Sequence, residues 1–346
     1  MVTVLEAFGL PTDSEAEPIT NGIINITWKV KSTQGDYILQ RINDHVFVNP
    51  EDIHQNIAAI AQYLKKNYQR YLFPAPILSL EGSELVHIPA KGYYRLFPFI
   101  AGTHTISVVE DTKQAFEAAE QFGRFTAYLG GFDVAKLKVT IPHFHDLSFR
   151  YKQFLASIQN GNAERVKEEQ SLINRLVKLD YLVKKYDAIT QNPAFKKRVT
   201  HHDTKISNVL FNDENNAVCI IDLDTLMPGY FISDVGDMMR TYLCPVSENE
   251  EDISKIMVRP SFYYAIVEGY YKEMKNELTA VEKTYFFYAA QFMIYMQALR
   301  FLTDYFNDDK YYQILYKNHN LVRAINQTVL LDRLMEHELA FKKFVL

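Results

Sequence analysis

The sequence predicts an α+β fold of two lobes: a small antiparallel sheet at the N-terminus and a larger, mainly helical C-terminal part that carries one hairpin. Three observations predict it. Apolar and polar residues alternate between turn clusters up to about Phe97, the pattern of half-buried strands. Helical spacing dominates later, and between the two regimes the apolar stretch 97–102 is interrupted by Pro98 and closed by Gly102. The exception in the second half is a pair of short apolar runs, 209–211 and 217–221, separated by polar residues.

Residues 19–47 alternate around Thr20-Asn21-Gly22 and the turn cluster 32–36, as in an antiparallel meander. Residues 50–71 change to helical spacing, with Ile53, Ile57, Ile60, Ala61 and Leu64 on one stripe. A second β stretch comprises 77–80, 84–88 and 93–97, punctuated by Glu81-Gly82 and Ala90-Lys91-Gly92. The lobe boundary falls at the Pro/Gly-broken stretch, giving segments 1–98 and 99–346. Beyond it, helices are expected over 112–129, 149–159, 163–188, 235–242, 253–274, 280–306 and 319–338. No internal repeat or low-complexity segment interrupts the pattern.

Composition narrows the function. A chain of 346 residues, 48% hydrophobic and 14% aromatic, supplies the cores of two lobes. Its net charge of −5 argues against a nucleic-acid partner, whose footprint is basic, while leaving room for a phosphorylated cofactor that needs only local positive charge. Of the two cysteines, Cys219 lies inside an apolar run, so both read as small buried hydrophobes in a reducing compartment. No basic segment followed by an apolar one opens the chain, and no run of about 18 apolar residues occurs, so a cytoplasmic protein without a membrane partner is expected. His143 and His145 flank Phe144 without a neighbouring Cys or acid cluster at ligand spacing, and read as loop surface rather than a metal site.

The chemistry concentrates in residues 201–224. Asn212, Asp213, Glu214, Asn215 and Asn216 are turn chemistry, so the flanking apolar runs pair as a hairpin that returns Asn208 beside Asp222. Asp203 is then placed to accept a proton from a hydroxyl, while Asn208 and Asp222 offer the hard oxygen ligands that Mg²⁺ prefers. Transfer of a γ-phosphoryl group requires this division of labour, because positioning and charge neutralisation do most of the catalytic work. His201, Asp203 and Asn208 fit the kinase pattern His-x-Asp-x-x-x-x-Asn, and Asp222 stands at the Asp of Asp-Phe-Gly, here followed by Leu223 and Asp224.

That replacement, with Asp234-Val-Gly-Asp237 following, resembles the aminoglycoside phosphotransferase and choline kinase superfamily, which has a protein-kinase-like bilobal fold. Residues 202–211, 221–229, 37–43 and 298–305 resemble its N-acetylhexosamine 1-kinase branch. The resemblance spans about Asn21 to Asp309. It implies ATP and Mg²⁺ as cofactors and a sugar acceptor, with Thr225 facing that acceptor, Asp224 extending the metal shell or capping the next turn, and Arg300 binding the sugar. The branch commonly has Gly-His-Ile-Asn where this chain has Gly22-Ile23-Ile24-Asn25, so any contact made by that His is in question here.

The remaining candidates each have an ordinary alternative. Lys205 reaches the γ-phosphate or holds Asp203, unless it is merely a surface lysine. Gly22, with Asn25, lets backbone N–H groups approach phosphates or simply makes a hairpin turn. Arg41 ends a strand where kinases place a phosphate-pairing cation, although Glu51 and Asp52 in the following helix equally serve its dipole. Phe97 and Phe99 flank the break where adenine would dock. Arg300 lies in an apolar helix and pairs with Asp304 if it does not meet a ligand. Asp203, Asp222, Asp224, Thr225 and Arg300 form the expected acceptor-side set, and Asp234 and Asp237 the support of the loop. Three functions remain open at this point: a sugar kinase, a choline, homoserine or aminoglycoside kinase, and a nucleotide-binding protein without turnover.

Overall fold

The computed structural model describes residues 1–19 and 25–344. A short helix α1 (Val2–Ala7) precedes strands β1 (Glu15–Ile19), β2 (Ile26–Ser32) and β3 (Gly35–Arg41). Helix α2 (Pro50–Asn67) follows, then β4 (Val86–Ile88) and β5 (Gly92–Pro98). All five strands form one antiparallel sheet in the order β1-β2-β3-β5-β4. Because side chains alternate across a strand, the sheet has two distinct faces. Val30, Leu39, Tyr94 and Leu96 pack on one face against Val4, Leu5, Phe8 and Leu10, a separate small core closed by α1. The periodicity did not reveal α1, which has only six residues and no side-chain cap. The opposite face presents Thr27, Gln40 and Arg95, which lie directly across from one another.

Helix α2 has the expected stripe, but Ile53, Ile57, Ile60 and Leu64 pack into the larger core rather than the small one. The strand expected over 77–80 is reduced to one bridge, Ile77 to Leu96. Its next backbone groups turn elsewhere, Ser79 N–H to Ser83 O and Leu80 N–H to Ala7 O.

The second lobe contains β6 (His104–Thr105), α3 (Thr112–Tyr128), α4 (Leu147–Asn160), α5 (Ala163–Glu168), α6 (Gln170–Val177) and α7 (Tyr181–Gln191). Then come β7 (Arg198–Thr200), β8 (Val209–Phe211), β9 (Ala217–Ile220) and β10 (Met227–Gly229). Helices α8 (Phe231–Tyr242), α9 (Pro260–Met274), α10 (Phe286–Phe306), α11 (His319–Glu336) and α12 (Glu338–Lys343) complete it. The single helix expected over 163–188 is three, since the chain must bend around α10, whose Tyr295 and Tyr288 hydroxyls donate to the Leu176 and Leu182 carbonyls. The helix expected from 253 starts at Pro260, whose fixed φ and missing N–H suit the first helical position. Helix α10 is buried along nearly its whole length and packs against α8, α11 and α4. Among the described residues no helix is long and apolar enough to cross a membrane.

Helices α3 and α9 meet through glycines. A Cβ on Gly269 would stand 2.4 Å from the Phe116 carbonyl oxygen, and one on Gly123 2.9 Å from that of Tyr270. Gly269→Ala is therefore expected to lower stability by about 1–3 kcal/mol through overpacking. Urea unfolding with an unchanged midpoint would show that the two helices part freely.

Candidate active site

The site begins where β7 ends. Residues 201–205 loop into a 3₁₀ turn (Ile206–Asn208) that enters β8, and β8 pairs with β9 as the turn chemistry requires. The Asn212 side chain accepts from the Glu214 and Asn216 N–H groups, and Asn215 takes a left-handed backbone (φ 58°). The hairpin brings the Ile221 N–H to within 2.9 Å of the Asn208 carbonyl oxygen, so Asp222 stands beside Asn208.

Four polar side chains converge there. Asn208 Nδ2 donates to Asp203 Oδ2 at 2.9 Å and to the Asp203 carbonyl at 2.8 Å. Lys205 Nζ lies 3.0 Å from Asp203 Oδ2 and 3.9 Å from Asp222 Oδ2, between the two carboxylates. Burial opposes the Lys205 charge, but Asp203 and Asp222 outweigh it and raise its pKa. Burial also pushes Asp203 up, yet Lys205, His201 and the Asn208 hydrogen bond hold it below the usual carboxylate value. Asp222 moves the other way, to about 7, through burial and repulsion from Asp203. Asp203 is thus the carboxylate kept ionised and Asp222 the one short of positive charge.

The loop is built on helix α8. Asp234 accepts from the His201 N–H at 3.0 Å and the His202 N–H at 2.7 Å, and its carbonyl accepts from the Thr204 hydroxyl at 2.8 Å. Asp237 accepts from the Thr204 N–H at 2.8 Å and pairs with Arg240. The Tyr242 hydroxyl donates to the Thr204 carbonyl at 2.5 Å. Burial drops both His201 and His202 to about 4, so both rings are neutral at pH 7. His201 then donates from Nε2 to the Ile221 carbonyl and accepts the Asp203 N–H at Nδ1, tying Asp203 to the segment that leads into Asp222. His202 and Asp222 both adopt left-handed backbone (φ 66° and 62°), and strain of this kind concentrates at working sites. Gly229 makes room for it, since a Cβ there would lie 2.5 Å from His202 Nε2.

Thr225 and Asp224, expected on the acceptor side, are both buried and engaged by protein groups. The Thr225 hydroxyl donates to the His201 carbonyl at 2.5 Å and is buried. Asp224, 2% exposed, is ion-paired with Arg95 and accepts from Asn25 Nδ2 at 2.6 Å. Asn25 is therefore joined to the catalytic segment, and its Oδ1 accepts the Asn43 N–H. Arg41 is not brought to the cluster: it pairs across the sheet with Tyr94 on the α1 side, and its Nε lies beside Gly92. The pleat gives the cleft face to Gln40 and Arg95 instead. Phe97 lies 5.0 Å from the Arg95 guanidinium, and Lys29 sits over the Phe99 ring at 3.9 Å. Gly22 and Ile23 lie outside the described residues. Sequence reading missed Arg95, although a charged residue in the middle of the apolar run 93–97 was a usable signal.

Below the loop, Arg300 is surrounded by Phe144, Tyr311 and Tyr312, at 5.5, 5.9 and 5.5 Å from their ring centres. The Phe144 and His145 ring centres lie 6.4 and 5.2 Å from that of His202, so this aromatic cluster adjoins the residue that precedes Asp203. His145 is thus packed between Phe144 and His202 instead of standing on a loop surface. The alternative pairing of Arg300 with Asp304 does not form, because Asp304 accepts from the Tyr311 and Tyr312 N–H groups and from Asn320. Arg300 donates only to the neutral Gln297 amide among the described residues.

The family model described as the phosphotransferase enzyme family, APH, matches residues 15–270. The chain belongs to that family. Solved structures share the fold of this phosphotransferase at low identity. A microcompartment-associated aminopropanol kinase is 14% identical with a TM-score of 0.64, over 98% of this chain and 97% of that one. An amicoumacin kinase in complex with AMP-PNP, Ca²⁺ and Ami is 14% identical with a TM-score of 0.64, over 96% and 92%. A Plasmodium vivax ethanolamine kinase is 15% identical with a TM-score of 0.58, over 94% and 85%. The chain is a small-molecule phosphotransferase of the aminoglycoside phosphotransferase and choline kinase type.

The phosphotransferase has a donor set suited to a divalent cation shared with phosphates. Among the described residues no group of three or more His, Cys, Asp or Glu could enclose a metal, and none donates a hydrogen bond to the Asp222 carboxylate. The Asp222 side chain is 38% exposed although its surroundings desolvate it, and it is crowded by Asp203, so a cation there would relieve its repulsion. One carboxylate and one amide oxygen suit Mg²⁺, which keeps waters and takes its other ligands from phosphates.

Proposed function

We propose that the phosphotransferase uses ATP and Mg²⁺ to phosphorylate the anomeric hydroxyl of an N-acetylhexosamine, GlcNAc or GalNAc, giving the sugar 1-phosphate. Asp203 takes the proton of the acceptor hydroxyl as its oxygen forms a bond to the γ-phosphorus. The bond from that phosphorus to the β,γ-bridging oxygen breaks, and ADP leaves. Lys205, 3.0 Å from Asp203, balances charge beside the reacting oxygens. Asn208 and Asp222 would hold the metal, which supplies neutralisation of the phosphate charge when bound. Phe97 and Phe99 would border the nucleotide base, with Asn25 on the phosphate side.

The observation that carries the acceptor reading is Arg300. A guanidinium with no carboxylate partner among the described residues, set between aromatic rings beside the base, suits a neutral ligand rich in hydroxyl and carbonyl oxygens. The choice of N-acetylhexosamine and of C1 rests on the likeness of residues 202–211, 221–229 and 298–305 to that branch. The second reading, an amino alcohol, is favoured by the aminopropanol and ethanolamine kinases that share the fold and by the aromatic rings, which suit an ammonium group. It requires a cation to sit beside Arg300, while nearby Glu248 is already paired with Arg240 at 2.6 Å.

Phosphorus NMR of the protein with Mg·ATP and a panel of N-acetylhexosamines, hexoses, choline, ethanolamine and homoserine tests the choice. A sugar 1-phosphate resonance is the expected product, and turnover of an amino alcohol alone would replace the reading. Arg300→Ala is expected to raise the sugar KM by about tenfold to a hundredfold, the effect of losing a hydrogen bond from a charged donor. An unchanged KM would remove Arg300 from the acceptor pocket.

A further inference from the structure

We infer that Arg95 is a positioning residue for phosphoryl transfer, through which the small sheet fixes the metal-side turn by way of Asp224. Arg95 and Asp224 are 3% and 2% exposed, so neither charge is satisfied by water. Arg95 sits in the middle of β5 on the cleft face, and its Nε and Nη2 both donate to Gln40 Oε1, at 3.1 and 2.8 Å. That fork sets the plane of the guanidinium before it meets Asp224. The other oxygen of Asp224 takes Asn25 Nδ2. One carboxylate of the second lobe is thus held by two different parts of the first.

The turn that carries Asp224 makes the placement consequential. Asp222 opens it, facing Lys205 and the cation position; Asp224 faces the sheet; Thr225 donates to the His201 carbonyl in the catalytic loop. The Asp224 carbonyl also accepts from Thr140 at 3.0 Å. With Asp224 held by the sheet and by Thr140, and Thr225 held by the catalytic loop, releasing Asp224 would free one side of the turn that Asp222 opens. Arg41 cannot take this part, since the pleat turns it to the other face.

The inference deepens the reading of Asp222 as the metal side of the site and does not depend on the acceptor. It is tested by Mn²⁺ binding in the presence of ADP, followed by electron paramagnetic resonance, alongside turnover. Arg95→Met and Asp224→Asn are each expected to weaken Mn²⁺·ADP binding by about tenfold to a hundredfold, as loss of a residue that orients a metal ligand does. The double variant should be no weaker than the worse single one, and Arg95→Lys, which keeps the charge but not the fork, should recover only part. Gln40→Leu keeps the ion pair and the fold, and should still lower affinity. A fall in unfolding temperature with Mn²⁺·ADP affinity unchanged in Gln40→Leu and the folded Arg95 variants would overturn the inference alone. A parent protein that does not bind Mn²⁺·ADP would overturn the assignment of Asp222 and the inference with it.

Discussion

Asp203→Asn is expected to lower phosphoryl transfer by about 10²–10⁴-fold, the usual contribution of a positioned general base. Nucleotide affinity should stay close to that of the parent. The substitution keeps an oxygen for Asn208 Nδ2 and leaves the loop's supports on Asp234 and Asp237 untouched. It removes the negative charge beside Lys205 and, with it, the proton acceptor of the proposed mechanism. Initial rates and ADP calorimetry on the same preparation separate the two effects. Undiminished turnover would mean that Asp203 is not the base, and lost ADP binding would mean that it shapes the nucleotide site instead.

The largest effect on stability should come from Glu282, which is fully buried. Both its oxygens engage the Arg198 guanidinium, at 2.7 and 2.8 Å, and they also accept the Lys196 and Thr279 N–H groups. Glu282→Ala would leave Arg198, 6% exposed, without its carboxylate. Breaking a buried pair on one side costs about 3–5 kcal/mol, more than the intact pair gains, because an uncompensated charge remains in the interior. Arg198 opens β7, the strand that delivers the catalytic loop, so loss of activity should track the unfolded fraction. An unchanged unfolding midpoint would show that Arg198 finds another partner or water.

The parts of this molecule that were legible in its sequence are those decided locally. The catalytic hairpin follows from five consecutive turn residues between two apolar runs, and α3 and α10 from long periodic stretches. The sheet order and the breaks in the 163–188 helix depend on partners far along the chain, such as the tyrosines of α10, which no local pattern encodes. The same holds within the site. Asp203, Asn208 and Lys205 share one short loop and came together as expected from their spacing. Arg95 meets Asp224 only because two lobes close on each other, and Arg41 turns away because strand register decides which face it joins. Strands β7 and β10 are three residues each and pair across the intervening hairpin, too short and too distant to announce themselves.

The strand β6 gives the two lobes a built-in ruler. Only residues 99–103 separate the end of β5 from β6, and His104 and Thr105 pair at once with Phe211 and Leu210 of the catalytic hairpin. The turn at Gly102 (φ 70°) and the Thr103 hydroxyl, donating to the Ile100 carbonyl at 2.6 Å, take up what slack the segment has. The span from the Phe97 and Phe99 platform to the hairpin bearing Asn208 and Asp222 is therefore set by a count of residues. A residue more or less would change the available chain by about 3.3–3.6 Å, comparable to the width of a phosphoryl group. The separation of the Phe97 and Phe99 rings from the hairpin that carries Asn208 is thus measured out by the backbone itself.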